Sequence, residues 1–222
     1  NGTYQESSTG SGLAWVGYRL ATGGIAADSI TGWTVSLPGG VDWISKNFWQ
    51  PGAGDYSIDL NGEEKGKISQ SFSTTPYAHY VVTWLMAGNP NNNLTGNNCE
   101  IARPKTMIVD ATNGGVPQTF SFSTVGQSYA DMGWTDDGYM YSFDAGTAGS
   151  TTISFESTVA GKCGPALDRI VIMETLPTAD KCKKGGWESM VDSVGNPFKN
   201  QGDCVSFYAT GEKNLAFTKD DE

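Results

Sequence analysis

The sequence predicts an all-β protein, a jelly-roll β-sandwich with a small disulfide-stapled appendage at its C-terminal end. Three observations carry this. Charged residues make up only 17% of the 222, while Gly numbers 29 and Ser, Thr and Asn are abundant, the usage of sheets joined by many tight turns. Short alternating runs separated by Gly, Asn, Asp and Pro fill the chain from Trp33 to Glu174. The pattern then changes after Leu176-Pro177, where Cys182 and Cys204 bracket a Lys- and Gly-containing stretch.

In chain order the predicted strands are Gly32–Leu37, Val41–Ile44, Tyr56–Leu60, Lys67–Ser73, His79–Met86, Thr106–Ala111, Gln118–Ser123, Tyr139–Asp144, Thr151–Ser157 and Leu167–Glu174. Alternation is strict in Thr119-Phe120-Ser121-Phe122-Ser123 and repeats in Thr152-Ile153-Ser154-Phe155-Glu156, giving strands apolar on one face and polar on the other. Gly164-Pro165 is a turn signal before the last run. Asn1–Ile30 is less regular, and Leu13-Ala14-Trp15-Val16-Gly17-Tyr18 contributes a further strand. No run reads as a convincing helix. Hydrophobic content of 38% with 11% aromatics suffices for a packed core over residues 1–176. Residues 177–222 are too few for a self-sufficient core, so a disulfide-stapled hairpin or Ω-like appendage is expected.

Acidic residues outnumber basic ones 24 to 14, for a net charge of −10. Such a surface repels phosphate backbones, which excludes nucleic acid as a partner. No apolar run approaches the roughly 18–20 residues of a membrane-spanning helix, so no membrane span is expected. The four cysteines, at 99, 163, 182 and 204, form no Cys-x-x-Cys pair, and His79 is the sole histidine. Zinc sites want clustered Cys and His, so two disulfides are the better reading. Three connectivities exist; Cys99–Cys163 with Cys182–Cys204 is favoured because each pair then lies within one structural unit. Disulfides point to an extracellular or cell-surface protein whose leader has been cleaved. The sequons at Asn1 and Asn93 are candidate glycosylation sites in keeping with that setting.

The ordered series Gly32-Trp33-Thr34-Val35, Val41-Asp42-Trp43-Ile44, Tyr56-Ser57-Ile58-Asp59-Leu60-Asn61-Gly62, Ile68-Ser69-Gln70-Ser71-Phe72, Ala87-Gly88-Asn89-Pro90, Met132-Gly133-Trp134 and Gly164-Pro165-Ala166-Leu167-Asp168 resembles the choice-of-anchor C family. Those proteins are bacterial relatives of a plant cell-wall family, and both are similar to galactose-binding-type jelly rolls. The resemblance covers roughly residues 1–174. Gln201-Gly202-Asp203-Cys204-Val205-Ser206-Phe207 resembles a short C-terminal module that recurs on secreted prokaryotic proteins. The resemblance implies an extracellular, non-catalytic protein associated with cell-wall or matrix polysaccharide. The chain departs from the family in opening Asn1-Gly2-Thr3-Tyr4-Gln5 and in adding Cys99 and Cys163.

Related jelly-roll modules hold a structural Ca²⁺ between the first and last strands, which makes Gln5 and Asp168 candidate ligands here. Gln5 is a neutral donor where a carboxylate is usual, and Asp168 capping its own turn is the competing reading. Sugar binding wants exposed rings with polar groups beside them. The loop-proximal candidates are Trp43, Trp49, Trp134 and Tyr139, with Asp136 near Trp134, and Trp49 is the one expected to be most exposed. Catalysis is unsupported: His79 opens a core strand, and no spacing singles out two carboxylates. The chain reads as a polysaccharide-binding domain. The alternative is a structural subunit that self-associates through its termini into a filament, sheath or surface layer, motivated by a Ser/Thr/Gly/Asn-rich exterior and by an extension able to add a strand to a neighbour.

Overall fold

A computed structural model of the chain describes residues 18–19, 30, 32–36, 39–76, 78–90, 104–135, 138–175, 179–183, 185–192 and 194–210. Their strands are β1 (Tyr18–Arg19), β2 (Thr34–Ser36), β3 (Asp42–Ser45), β4 (Tyr56–Asp59), β5 (Lys67–Ser73), β6 (His79–Gly88), β7 (Lys105–Ala111), β8 (Gln118–Phe122), β9 (Tyr139–Asp144), β10 (Ser150–Ser157) and β11 (Pro165–Thr175). They build two antiparallel sheets, β1-β3-β4-β11-β6-β9 and β2-β5-β10-β7-β8, with the crossovers of a jelly roll. Each of the ten strands expected from Gly32 onward is present, most with ends shifted by one or two residues. Of the expected N-terminal strand only Tyr18 lies within the described residues.

Alternation decides which side chains meet between the sheets. In β6 the buried residues are Tyr80, Val82, Trp84 and Met86; in β7 Met107, Val109 and Ala111; in β10 Ile153 and Phe155. Trp84 is the hub. Its ring meets Phe120 and Phe155 edge-on, with centroids 4.8 and 5.2 Å away, and stacks against Tyr139 at 6.0 Å. The Tyr139 hydroxyl donates to the Ser121 carbonyl at 2.6 Å, tying β9 to β8 and closing that side of the sandwich.

One end of the sandwich is held by a polar knot built from three of the sequence motifs. Asp59, buried at the end of β4, accepts from the Asn61 and Gly164 amides at 2.9 and 3.1 Å and from the Asn89 side-chain amide at 2.7 Å. Asn61, also buried, donates to the Val159 and Gly161 carbonyls at 2.8 and 2.6 Å, fixing the β10–β11 turn. Position 164 must be glycine, since a Cβ there would lie 2.2 Å from Asn61 Oδ1. Burial pushes the Asp59 carboxyl up to about 7, against the bonds from Asn61 and Asn89; Asp42, directly opposite in register, adds to the rise.

The C-terminal appendage differs from expectation. It is a short helix, α1 (Gln201–Ala209), packed with single 3₁₀ turns at Ala179–Cys182 and Gly186–Ser189, rather than a hairpin. Residues of low helix propensity, such as Gly202, Val205 and Ser206, hid it in the sequence. It is held instead by context. Asn200 caps the N-terminus through the Asp203 amide at 2.9 Å, Cys204 and Phe207 point inward beside Phe198 and Met190, and the Cys182–Cys204 disulfide is formed. Cys163 is disulfide-bonded as well; Cys99, its expected partner, lies outside the described residues. The appendage touches its own sandwich where Lys181 donates to Asp144, whose carboxylate also lies 2.6 Å from His79 Nδ1. Burial raises the Asp144 pKa, but the bonds from Lys181 and His79 outweigh it and hold the group below the usual carboxylate range.

The knot has a pH signature. Because Asp59 titrates near 7 when folded and near 3.8 as a free side chain, the folded protein keeps a proton between those values that the unfolded chain has released. Its contribution is full below the lower value and is lost as pH rises through 7. Thermal melts should therefore show the midpoint falling by about 5 °C or more from pH 5 to pH 8. In Asp59→Asn, with the Asn89 amide turned to present its oxygen, that slope should flatten.

Candidate functional site

The strand lengths create an aromatic-lined cleft. β11 pairs with β4 only at Ala166 and Leu167, and with β6 along its whole length. In the other sheet β2 pairs with β5 only at Lys67–Ser69. Ile170–Thr175 of β11 and Gln70–Ser73 of β5 therefore each have one edge with no described strand beside it, and these edges lie on the same side of the sandwich. Between them is a lateral cleft of about 400 Å³, lined by Trp33, Gln70, Phe72, Ser73, Tyr80, Ile170, Ile172 and Glu174.

The walls are apolar and the rim polar. Trp33 is half-buried and packs on Phe155, with centroids 6.0 Å apart. Phe72 is half-buried too and meets Tyr80 edge-on at 5.8 Å. The Tyr80 hydroxyl donates to Glu174 Oε2 at 2.8 Å and accepts from the Thr75 amide at 3.0 Å, which fixes both side chains at the mouth. Burial, ahead of these bonds, holds the Tyr80 phenol above its ordinary pKa. Gln70 Nε2 donates to the Gly32 carbonyl at 3.0 Å, anchoring the turn that carries Trp33. Two strand edges, the half-buried rings of Trp33 and Phe72 and a fixed carboxylate make a slot that can take a flat, hydroxyl-bearing ligand.

The aromatic residues singled out from the sequence lie outside this cleft, buried or half-buried. Trp49 is 1% exposed, not the exposed ring expected; its indole donates to Ser57 Oγ at 2.6 Å and its ring packs beside Phe48 and Tyr129. Trp43 is buried edge-on against Tyr56. Trp134 is half-buried, donates to the Gln50 carbonyl at 2.8 Å and closes over Gly52 and Leu85. Tyr139, half-buried, is committed to Trp84 and Ser121. The loops on either side of Gln50 and Met132 fold back over the outer face of the six-stranded sheet, and Gln50 rivets them, its amide donating to the Tyr129 carbonyl at 2.8 Å and its Oε1 accepting from the Met132 amide at 3.0 Å. These rings thus belong to the main core or pack against it. Loop position suggested exposure, and loop folding removed it. Asp136 lies outside the described residues, as do Gln5, Asn1 and Asn93.

Asp168 is buried where β11 bulges between Asp168 and Val171. Its two oxygens accept from the Ala53 and Arg169 amides, each at 2.7 Å. Burial pushes it up to about 6 despite those bonds. This is the turn-capping role: the carboxylate pins the loop of residues 50–54 and supports Arg169 at φ 48, a left-handed backbone that few non-glycine residues adopt. The donors around Asp168 are amides, the surroundings of an anion, and no group of three or more His, Cys, Asp or Glu side chains converges among the described residues. The other residue of the expected Ca²⁺ site, Gln5, lies outside the described residues.

A second depression of about 330 Å³ lies on the outer face of the same sheet, lined by Thr83, Trp84, Leu85, Gly138, Arg169, Val171 and Met173. Its floor is aliphatic, and Trp84, its only ring, is buried, so it offers sugars no stacking surface.

The cleft residues missed in the sequence were Ser73, Tyr80, Ile170, Ile172 and Glu174; Trp33, Gln70 and Phe72 were noticed only as motif residues. A usable signal was present: the run Lys67–Ser73 is longer than Gly32–Leu37, and Leu167–Glu174 is longer than Tyr56–Leu60, each one of the two neighbours it pairs with.

This architecture is that of a two-sheet β-sandwich module with a lateral, ring-lined cleft. Residues 2–173 match the family model described as "Protein of unknown function (DUF642)", and the chain belongs to that family. No curated protein sequence matches the chain. Similar solved structures include TmCBM61 in complex with β-1,4-galactotriose, at 14% identity and TM-score 0.45, covering 65% of this chain and 90% of that one. The CBM35 from Paenibacillus barcinonensis is 13% identical with TM-score 0.42, covering 65% and 94%. The CBM22-1 xylan-binding domain of Xyn10C from the same organism is 16% identical with TM-score 0.43, covering 73% and 93%.

If Trp49 is structural, Trp49→Phe should lower stability by about 1–2 kcal/mol through the lost bond to Ser57, as read by chemical denaturation. A variant as stable as the parent would contradict the assignment.

Proposed function

We propose that this chain is a secreted, non-catalytic carbohydrate-binding domain that engages cell-wall or matrix polysaccharide in the lateral cleft. The observation that carries the reading is the convergence of the half-buried Trp33 and Phe72 rings with Gln70, Ser73 and Glu174 in one open slot, where the buried Tyr80 contributes its hydroxyl bond to Glu174. Sugar rings present C–H faces that pack on aromatic surfaces and hydroxyls that bond to polar groups at the rim. An open-sided cleft also lets a polymer enter without a free chain end.

Chemistry within the cleft favours binding over hydrolysis. Glycoside cleavage needs two carboxyl groups about 5–10 Å apart across the scissile bond, and among the described residues Glu174 is the only carboxylate lining this cleft. The oxidised Cys182–Cys204 pair supports secretion, since disulfides persist in oxidising compartments. The described contacts of the appendage run to its own sandwich at Asp144 and His79, so assembly through the C-terminal extension is not the reading adopted.

The test is a screen of the intact chain on immobilised cell-wall and matrix polysaccharides, followed by titration of the best binder. Trp33→Ala should weaken that binding at least ~10-fold while the fold survives in circular dichroism. Failure of the parent chain to retain any polysaccharide would overturn the reading.

A further inference from the structure

We propose that the cleft selects uncharged sugars and excludes uronates, an inference that rests on the carbohydrate reading above and names the class of glycan it takes. Among the described residues, the lining holds no Lys, Arg or His, and its single charge is the Glu174 carboxylate. Carboxylate recognition ordinarily uses a guanidinium or ammonium fork. The nearest candidate in sequence, Arg169, lines the depression on the opposite face of the sheet together with Val171 and Met173, whereas Ile170, Ile172 and Glu174 line the cleft. Strand alternation resumes after the bulge and keeps the cation on the far side.

The hydrogen-bonding capacity of the rim points the same way. Gln70 Nε2 is spent on the Gly32 carbonyl, and the Tyr80 hydroxyl proton is spent on Glu174 Oε2, which also accepts from Thr75 Oγ1 at 3.3 Å. Among the described residues, Gln70 Oε1 and Glu174 Oε1 are engaged by no hydrogen bond. Both are acceptors, and among the described lining residues Ser73 has the one hydroxyl that can still donate. A ligand must therefore bring donors. Sugar hydroxyls do; a carboxylate brings acceptors only, loses water without replacement, and meets Glu174 as a like charge.

The experiment compares sugars differing only at C6, glucose with glucuronate and galactose with galacturonate, each displayed multivalently and titrated with the intact chain. The uncharged member of a bound pair should bind at least ~10-fold tighter, the scale of a like-charge penalty at a partly desolvated site. Glu174→Gln keeps an oxygen for Tyr80 and should narrow the ratio to within ~3-fold. Ser73→Lys, on an exposed position that leaves Glu174 in place, should do so independently. Equal binding of both members by the parent, or a ratio unchanged in both variants, would overturn the inference and leave the carbohydrate reading standing. If neither member of either pair binds and the polysaccharide screen is also blank, both readings fall together.

Discussion

The buried carboxyl of Asp59 is the constraint on which the rest of this sandwich depends. It gathers the end of β4, the loop after β6 and the start of β11, three segments distant in sequence, and it does so in a site dry enough to lift its pKa to about 7. A carboxyl with three donors around it would ordinarily ionise readily; here desolvation wins. The arrangement sets the register of β11 against both β4 and β6. Asn61 extends the grip to the β10–β11 turn, so the β4–β5, β6–β7 and β10–β11 connections are fastened at a single point. Loops cannot usually be buried without satisfying their backbone groups, and side-chain amides and one carboxylate meet that need here.

From this fixed end the strands run out to unequal lengths. β4 stops early and β11 continues past its bulge, while β2 covers only the first part of β5. The lateral cleft is the geometric consequence, so the slot is generated by the core and not by the loops. The loops that looked like binding surfaces are instead folded down over the outer sheet face and riveted through Gln50. Asp168 joins the two regions, holding the loop at Ala53 on one side and shaping the bulge that sends Arg169 away from the cleft on the other.

Much of the fold was legible in the sequence, because period-two alternation and Gly or Asn turn signals are local. The run Tyr139–Asp144 and the run Lys67–Ser73 are read off with both ends correct. Helix α1 was not legible. Gly202, Val205 and Ser206 argue against a helix, and only the Asn200 cap, the inward Phe207 and the disulfide make one there. The site was legible only in part. Trp33 and Gln70 stood out as motif residues, but their meeting with Tyr80 and Glu174 depends on which strands end first across two sheets, a non-local fact. Trp49 failed in the opposite direction. Its neighbours Asn47, Gln50 and Pro51 signal a loop, and nothing local reveals that the loop buries its tryptophan on Ser57.

The central claim is that ligand enters between β5 and β11, and the most direct measurement is an amide and indole NMR titration of the intact chain with a neutral polysaccharide fragment that it retains. The account predicts shifts concentrated on the Trp33 indole, the Gln70 side-chain amide and the amides of Phe72, Ser73 and Ile170–Glu174, with the Trp49 and Trp134 indoles unmoved. Shifts centred on Trp134, Thr83 and Met140, on the outer face of the six-stranded sheet, would contradict it.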